Sequence, residues 1–380
     1  MTSSIIFYFS CIFLLYRCLK NIPISLLISS LLISLTPIAE YNIQIILILL
    51  SILLGVIDKT FYFSRSRLII FGVFLIVSYV IISFSFDFEI LYVLGKLGKV
   101  IAISLPITLS INWKKSLPDY DINKFFNALI IISFLGMLLW FSSDKLDSGI
   151  LGTYRIPSIS SDPNYSAIIL ISFLFTAKIL EIKLKKATLY AILIIILLTQ
   201  SVSSISCALI IYFSYGFIYK KNNLLFFLLF FSIVIYIIGV FEISRLDIIS
   251  TNSDWQENYL AMKLNSLYFR MRAQFMGAEM IYSDPSRLLY GFGSGKSLIF
   301  FDRVMHNSYM QILFDHGIIF LLSIFVFFNS LLKNNKIYIV IFYLQIMSFM
   351  FDSYFMGLIP LFFISFSYLK STQGHKNGVN

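Results

Sequence analysis

The sequence predicts an all-α integral membrane protein, a polytopic bundle of about 11–13 transmembrane helices with two longer extracytoplasmic loops, the second containing an amphipathic helix. Three observations carry that expectation. Of 380 residues, 59% are hydrophobic and only 13% charged, too few charges for a soluble domain of this length to cover itself. Uncharged apolar runs of about 20 residues, the length that crosses the hydrocarbon core as a helix, recur from end to end. Basic residues gather in alternate connections, as they do on the cytoplasmic side of membrane proteins.

The apolar runs are solid rather than alternating, which selects helices. Spans are expected near 3–16, 22–38, 43–57, 68–85, 90–112, 125–142, 165–179, 188–199, 205–219, 223–241, 307–328, 337–350 and 355–369. One set of connections holds Arg17, Lys20, Lys59, Arg65, Arg67, Lys114, Lys115 and Lys124. It continues with Lys183, Lys185, Lys186, Lys220, Lys221, Lys333, Lys336, Lys370 and Lys376. The other set holds Glu40, Asp87 and Glu89 and almost no basic residue in its short loops. The asymmetry puts the first set and the C-terminus in the cytoplasm and sends 143–164 and 242–306 outside. Residues 1–380 read as a single transmembrane domain, without a soluble domain, solenoid repeat or low-complexity tract.

The net charge of +10 is explained by the cytoplasmic loops, so no nucleic-acid partner is expected. Cys11, Cys18 and Cys207 are scattered in or beside apolar runs and form neither a disulfide framework nor a metal spacing. The N-terminus lacks a basic region followed by a small-residue cleavage site, so no cleaved signal peptide is expected. Lys96 and Lys99 fall inside the fifth apolar run. Intramembrane charge marks function by default; the alternative is a shifted helix from which both lysines snorkel.

Function should concentrate in the long outer loops. The first ends with Arg155, then Asp162-Pro163-Asn164 directly before an apolar run. Those three residues are turn chemistry, with Asn164 able to cap the following helix. They leave Arg155, the loop's one arginine, unexplained. In the second loop Leu260, Leu264, Leu267, Met271, Phe275, Ala278 and Tyr282 form one helical stripe. Arg270, Arg272 and Gln274 flank it. Either this helix lies on the membrane surface with arginines among the headgroups, or the arginines aim at an anionic ligand, which their planar fork suits.

The run Gly291-Phe292-Gly293-Ser294-Gly295-Lys296-Ser297 ends like a phosphate-binding loop. It fails as a Walker A motif because Tyr290 stands where the first glycine belongs. It reads as a turn with an anion nest. His306 stands at the mouth of the next span, followed by Asn307, Tyr309, Asp315 and Gly317. Histidine is the side chain best suited to take a proton near neutral pH. Asp315 is about 13 Å along a helix from His306, so a buried polar contact suits it better than pairing with that histidine.

Arg155 followed by Asp162-Pro163-Asn164, the Gly291-x-Gly293-x-Gly295 turn, and His306-Asn307-x-Tyr309 with Asp315-x-Gly317 together resemble the O-antigen polymerase and ligase superfamily, over about 155 to 320. Members often carry an arginine after Leu-Thr-x-Ser; here Leu198-Thr199-Gln200-Ser201 is followed by Val202. The resemblance implies transfer of a glycan from undecaprenyl pyrophosphate onto an acceptor sugar hydroxyl, on the periplasmic side of a bacterial inner membrane. In that setting His306 is the expected base, and Arg155 and Arg270 balance the leaving pyrophosphate. Arg272, Asp162, Asn164, Gly293, Asn307, Tyr309 and Asp315 are the expected substrate-binding residues. No cofactor and no metal are expected, since no Asp-x-Asp or clustered acids appear. Direct inverting displacement follows, unlike the paired-carboxylate glycosidases.

A Wzy-type O-antigen polymerase is the leading expectation, with the lipid-linked repeat and membrane lipid as partners and a chain-length regulator of the same pathway as a further one. The ligase that moves finished chains onto lipid A-core is the first alternative. A lipid-linked oligosaccharide flippase is the second, and it predicts inverted repeats and broken midplane helices that the sequence does not pair.

Overall fold

The computed structural model describes residues 2–34, 41–85, 90–112, 122–141, 155–160, 162–179, 181–201, 259–293, 295–302 and 305–331, with isolated positions between 204 and 242. The spans expected at 205–219, 223–241, 337–350 and 355–369 lie almost wholly outside the described residues, as do 142–154 and 243–258 of the outer loops.

The described chain is mostly helical. Its first half holds α1 (Thr2–Leu19), α2 (Ile22–Ser34), α3 (Tyr41–Ile57), α4 (Arg65–Ser85), α5 (Ile90–Thr108) and α6 (Ile122–Phe141). Then come α7 (Pro163–Ile179), α8 (Lys186–Leu198), α9 (Tyr259–Ser283), α10 (Arg287–Tyr290), α11 (Lys296–Phe301) and α12 (Ser308–Leu331). Each expected span in the described region coincides with one of these helices to within a few residues. Neighbours pack as α1 on α2 and α6, α2 on α3, α4 on α5 and α12, and α8 on α6 and α7. One continuous core joins Phe7, Leu27, Phe74, Phe125, Ile168 and Phe320.

The outer surface differs from that of a helix bundle in water, whose outward face is polar. On α4, Ile69, Val73, Ile76, Val80 and Phe84 recur at helical spacing on one face, and all are exposed. Exposed aliphatic stripes also run along α3, α8 and α12. Serines are buried among the apolar core side chains: Ser25, Ser29, Ser51, Ser78, Ser104 and Ser133. Ser78 and Ser133 donate to the carbonyls of Phe74 and Leu129, each at 2.7 Å, so their own helices satisfy them. Among the described residues, Arg65–Phe84 is the one helix long and apolar enough, by length and composition, to cross a membrane. The other apolar helical stretches among the described residues are shorter, at 10–17 residues.

A small ribbon departs from the all-helical expectation. Pro106 falls in the last turn of α5, which stops at Thr108 rather than 112. Leu109–Ile111 (β2) then pairs antiparallel with Phe61–Phe63 (β1), with Phe61 opposite Ile111. Arg67 Nη1 donates to the Leu109 carbonyl at 3.0 Å. Three-residue strands are too short to leave an alternating pattern in the sequence.

The ribbon belongs to a network at one end of the bundle. Asn21 Nδ2 donates to Thr60 Oγ1 at 3.3 Å, and the Asn112 amide donates to the Thr60 carbonyl at 2.8 Å. Cys18 Sγ reaches the Lys124 carbonyl at 3.4 Å, and the Lys185 amide donates to Asn123 Oδ1 at 3.1 Å. These are connections that the basic residues mark in the sequence.

Candidate functional site

The helix that follows His306 is not continuous. Gly317 has φ 77° and ψ 176° inside α12, a conformation open essentially to glycine alone. The break frees carbonyls that would otherwise accept within the helix. The Phe292 amide donates to the Phe314 carbonyl at 2.8 Å, and the Gly293 amide to the Asp315 carbonyl at 3.0 Å. The glycine turn is thereby docked backbone to backbone on the broken helix. A Cβ on Gly291 would lie 2.5 Å from the Asp315 carbonyl carbon, and one on Gly317 would lie 2.3 Å from the Leu289 oxygen.

The expected anion nest exists, and the chain fills it itself. The Asp315 carboxylate accepts from the amides of Gly295 at 3.1 Å and Ser297 at 3.3 Å. It accepts again from Gln311 Nε2 at 2.8 Å. Asp315 is therefore the buried polar contact that its distance from His306 suggests. Gly293 and Asp315, expected among the substrate-binding residues, join the loop to the helix.

Glutamines hold the residues on either side of His306. Gln311 Nε2 also contacts Ser297 Oγ, while its Oε1 accepts from the Met305 amide at 3.0 Å. Gln274 Nε2 donates to the Met305 carbonyl at 2.8 Å, and its Oε1 accepts from Asn307 Nδ2 at 3.4 Å. A side-chain amide does this because it donates and accepts at once. Asn307 Oδ1 accepts from the amides of Tyr309 at 3.0 Å and Met310 at 3.1 Å, which makes Asn307 the N-cap of α12. Its Oδ1 thus serves the helix and its Nδ2 serves Gln274. His306, between these anchored neighbours, is partly exposed and left-handed at φ 51°. That backbone is uncommon outside glycine.

The buried face of α9 is rotated from the expected stripe. Tyr268, Met271, Gln274, Gly277 and Ile281 are buried, whereas Ala278 and Tyr282 are exposed. Gln274 lies at the centre because the Met305 carbonyl beneath it needs a donor. Replacing Gln274 with leucine is expected to destabilise the protein by about 1–3 kcal/mol, the cost of leaving buried partners unpaired. The midpoint of thermal unfolding in detergent measures this, and an unchanged midpoint would show that other groups take over both bonds.

Two residues apart, Arg270 and Arg272 face different directions around the helix. Arg272 Nη1 donates to Tyr268 Oη at 3.0 Å, and its guanidinium lies 5.9 Å from the centroid of that ring. Arg272 is therefore engaged by its own helix, and Arg270 is partly buried.

A second polar cluster surrounds Arg155, which is only 6% exposed. Its Nε donates to the Thr199 carbonyl at 3.2 Å and its Nη2 to Asn164 Oδ1 at 2.8 Å. Asn164 Oδ1 also accepts from Ser201 Oγ at 2.8 Å, and Ser204 Oγ donates to the Asn164 carbonyl at 3.2 Å. Asn164 is not the cap of α7. Asp162 is, its Oδ1 accepting from the Asn164 amide at 2.7 Å, with Pro163 at the first helical position, where proline lacks no needed donor. The Ile156 amide donates to the Leu198 carbonyl at 3.1 Å. Arg155 thus lies along Leu198-Thr199-Gln200-Ser201, the segment whose own arginine is missing. Thr199 as a partner of Arg155, and Ser201 and Ser204 as partners of Asn164, carry no sequence signal, because nothing in one dimension joins a loop to a segment 37 to 44 residues away.

Lys96 on α5 is partly buried and acts electrostatically on Asp315 and His316. The Lys99 side chain lies outside the described residues. His316 Nδ1 is buried without a hydrogen-bond partner among the described residues, its ring 4.9 Å from that of Phe320.

Comparison with protein-family models, with curated proteins and with solved structures returns no match for this chain.

Proposed function

We propose that this chain is a multi-pass glycosyltransferase of the bacterial inner membrane that joins undecaprenyl-pyrophosphate-linked oligosaccharide repeats at the periplasmic face, as O-antigen polymerases do. The observation that carries the reading is the framework around His306: Gln274 and Gln311 hold Met305, Gln274 and the cap hold Asn307, and the imidazole stands between them at the mouth of α12. A base held at a helix mouth, beside a loop that carries arginines, suits proton removal from an acceptor hydroxyl.

In the reaction, the acceptor oxygen attacks the anomeric carbon of the lipid-linked glycan. The bond from that carbon to the pyrophosphate oxygen breaks with inversion. The hydroxyl proton passes to the His306 imidazole, and undecaprenyl pyrophosphate leaves with both electrons of the broken bond. Arg155 and Arg270 balance its charge.

The exposed aliphatic stripes support membrane insertion, since lipid rather than water suits such a surface. The mutual hydrogen bonds of the 18–21, 60, 112, 123–124 and 185 connections support the charge-based scheme in which all of them face the cytoplasm.

A deletion strain examined on a lipopolysaccharide gel tests the proposal. Loss of a polymerase leaves core bearing one repeat; bare core would instead identify a ligase, and an unchanged ladder would overturn both.

Arg155→Ala is expected to reduce polymerisation strongly and to lower the unfolding midpoint, because Asn164 Oδ1 and the Thr199 carbonyl each lose a donor. Arg155→Lys should recover only part of the activity, since lysine keeps the charge and loses the fork. Full activity in the alanine variant at normal protein level would remove Arg155 from the reaction.

A further inference from the structure

We infer that the loop 284–302 is re-entrant: its glycine turn lies within the outer leaflet against the broken helix α12, and its outward apolar side chains meet lipid acyl chains. This rests on the membrane-spanning reading above, and it gives a lipid-facing position to a segment that loop charge alone assigns to water.

Register gives the depth. From Leu331 at the far end of α12, the rise to Gly317 is about 21 Å at about 1.5 Å per residue. With Leu331 at the inner boundary of a hydrocarbon core about 30 Å thick, Gly317 lies about 9 Å beneath the outer boundary. Tilting the helix only moves it deeper. The Leu289 carbonyl and Tyr290 amide are seated against Gly317, and Phe292 and Gly293 donate to the carbonyls of Phe314 and Asp315. This stretch of the loop therefore shares that depth.

The backbone chemistry permits it. Irregular chain survives at membrane depth only where protein satisfies its polar groups. Here the amides of Phe292, Gly293, Gly295 and Ser297 all donate to α12. The outward face of the loop is apolar: Leu289, Leu298 and Phe300 are exposed, and Ile299 is 71% exposed. It continues the exposed stripe of α4, where the Phe84 ring lies 6.2 Å from that of Tyr290. Asp284 pairs with Arg287 at 3.3 Å, the Arg287 guanidinium reaches the Gly291 carbonyl at 3.4 Å and covers the Phe292 ring at 5.5 Å, and Asp302 stands at the far end. Lys296 has a stem long enough to raise its ammonium to the headgroups.

The test uses full-length protein with Cys11, Cys18 and Cys207 replaced by alanine, in phosphatidylethanolamine–phosphatidylglycerol vesicles. Single nitroxides at 299, 76 and 282 are compared for collision with oxygen, which concentrates in hydrocarbon, and with a water-soluble nickel chelate. Ile76, 66% exposed in mid α4, is the lipid reference, and Tyr282, 87% exposed at the end of α9, the aqueous one. Position 299 is expected to follow 76, with nickel collisions lost and oxygen collisions dominant. A label at 298 must agree, which guards against a local disturbance. If 299 follows 282 while 76 is in lipid, the loop is aqueous and the inference is overturned with the spanning reading intact. If 76 is itself open to nickel, the spanning reading fails and the inference falls with it.

Discussion

Replacing His306 with alanine is expected to slow chain extension by about 10²–10⁴-fold, the usual contribution of a general base, while insertion and binding of the lipid-linked repeat persist. The separation is expected because the backbone at 305 and 307 is held by other side chains. Gln274 and Gln311 grip Met305, and Asn307 caps α12 through its own Oδ1. Removing an imidazole from between them leaves those bonds in place. The left-handed backbone at φ 51° is the one complication, since alanine adopts it reluctantly. Asparagine adopts it more readily and cannot act as a base, so His306→Asn separates conformation from proton transfer. His306→Gln keeps hydrogen-bonding shape without basicity. All three variants should be nearly as defective as one another when ladder formation is followed from purified lipid-linked repeats in vesicles. A glutamine variant extending chains at the wild-type rate would make His306 a positioning residue for the acceptor.

The helices were legible because a run of apolar residues is itself the physical cause of a buried or lipid-facing helix. Asp315 was legible for a similar reason: a lone carboxylate in an apolar run needs buried donors, and Gln311 one turn earlier was available to supply one. The cap of α7 was legible in principle and misassigned. Asp162 and Asn164 are both capping residues, and Pro163 decides between them by its preference for the first helical position.

Gln274 was not legible. Counting apolar positions puts a glutamine outside the stripe, and its partner, the Met305 carbonyl, lies 31 residues away. The need of an orphan carbonyl for a donor has no one-dimensional signature. The anion nest was half legible, since the glycines announced it and nothing in their spacing pointed to Asp315 as its occupant. A single glycine in an apolar span reads as tolerated, so the break at Gly317 also needed the loop that fills it.

That break makes Gly317→Ala the substitution with the largest expected effect on stability. At φ 77° and ψ 176° an alanine is strained by about 1–3 kcal/mol before any contact is considered. Its Cβ would also stand 2.3 Å from the Leu289 oxygen and 2.4 Å from the carbon bonded to it. Both are backbone atoms and cannot rotate away, so the loop must lift. Lifting it breaks the Phe292 and Gly293 hydrogen bonds to α12, worth about 1 kcal/mol each, and draws the Gly295 and Ser297 amides off the buried Asp315 carboxylate. A loss of about 3–5 kcal/mol is expected, enough to prevent accumulation of many folded proteins. Gly72→Ala is the control: it lies within α4, and no heavy atom approaches within 4 Å of its added Cβ. That variant should be neutral or up to about 1 kcal/mol more stable, since alanine favours a helix over glycine. Yield and unfolding midpoint in one detergent compare the two directly. A Gly317→Ala protein that melts with the Gly72→Ala control would mean that α12 runs straight through 317 and that the glycine turn is seated elsewhere.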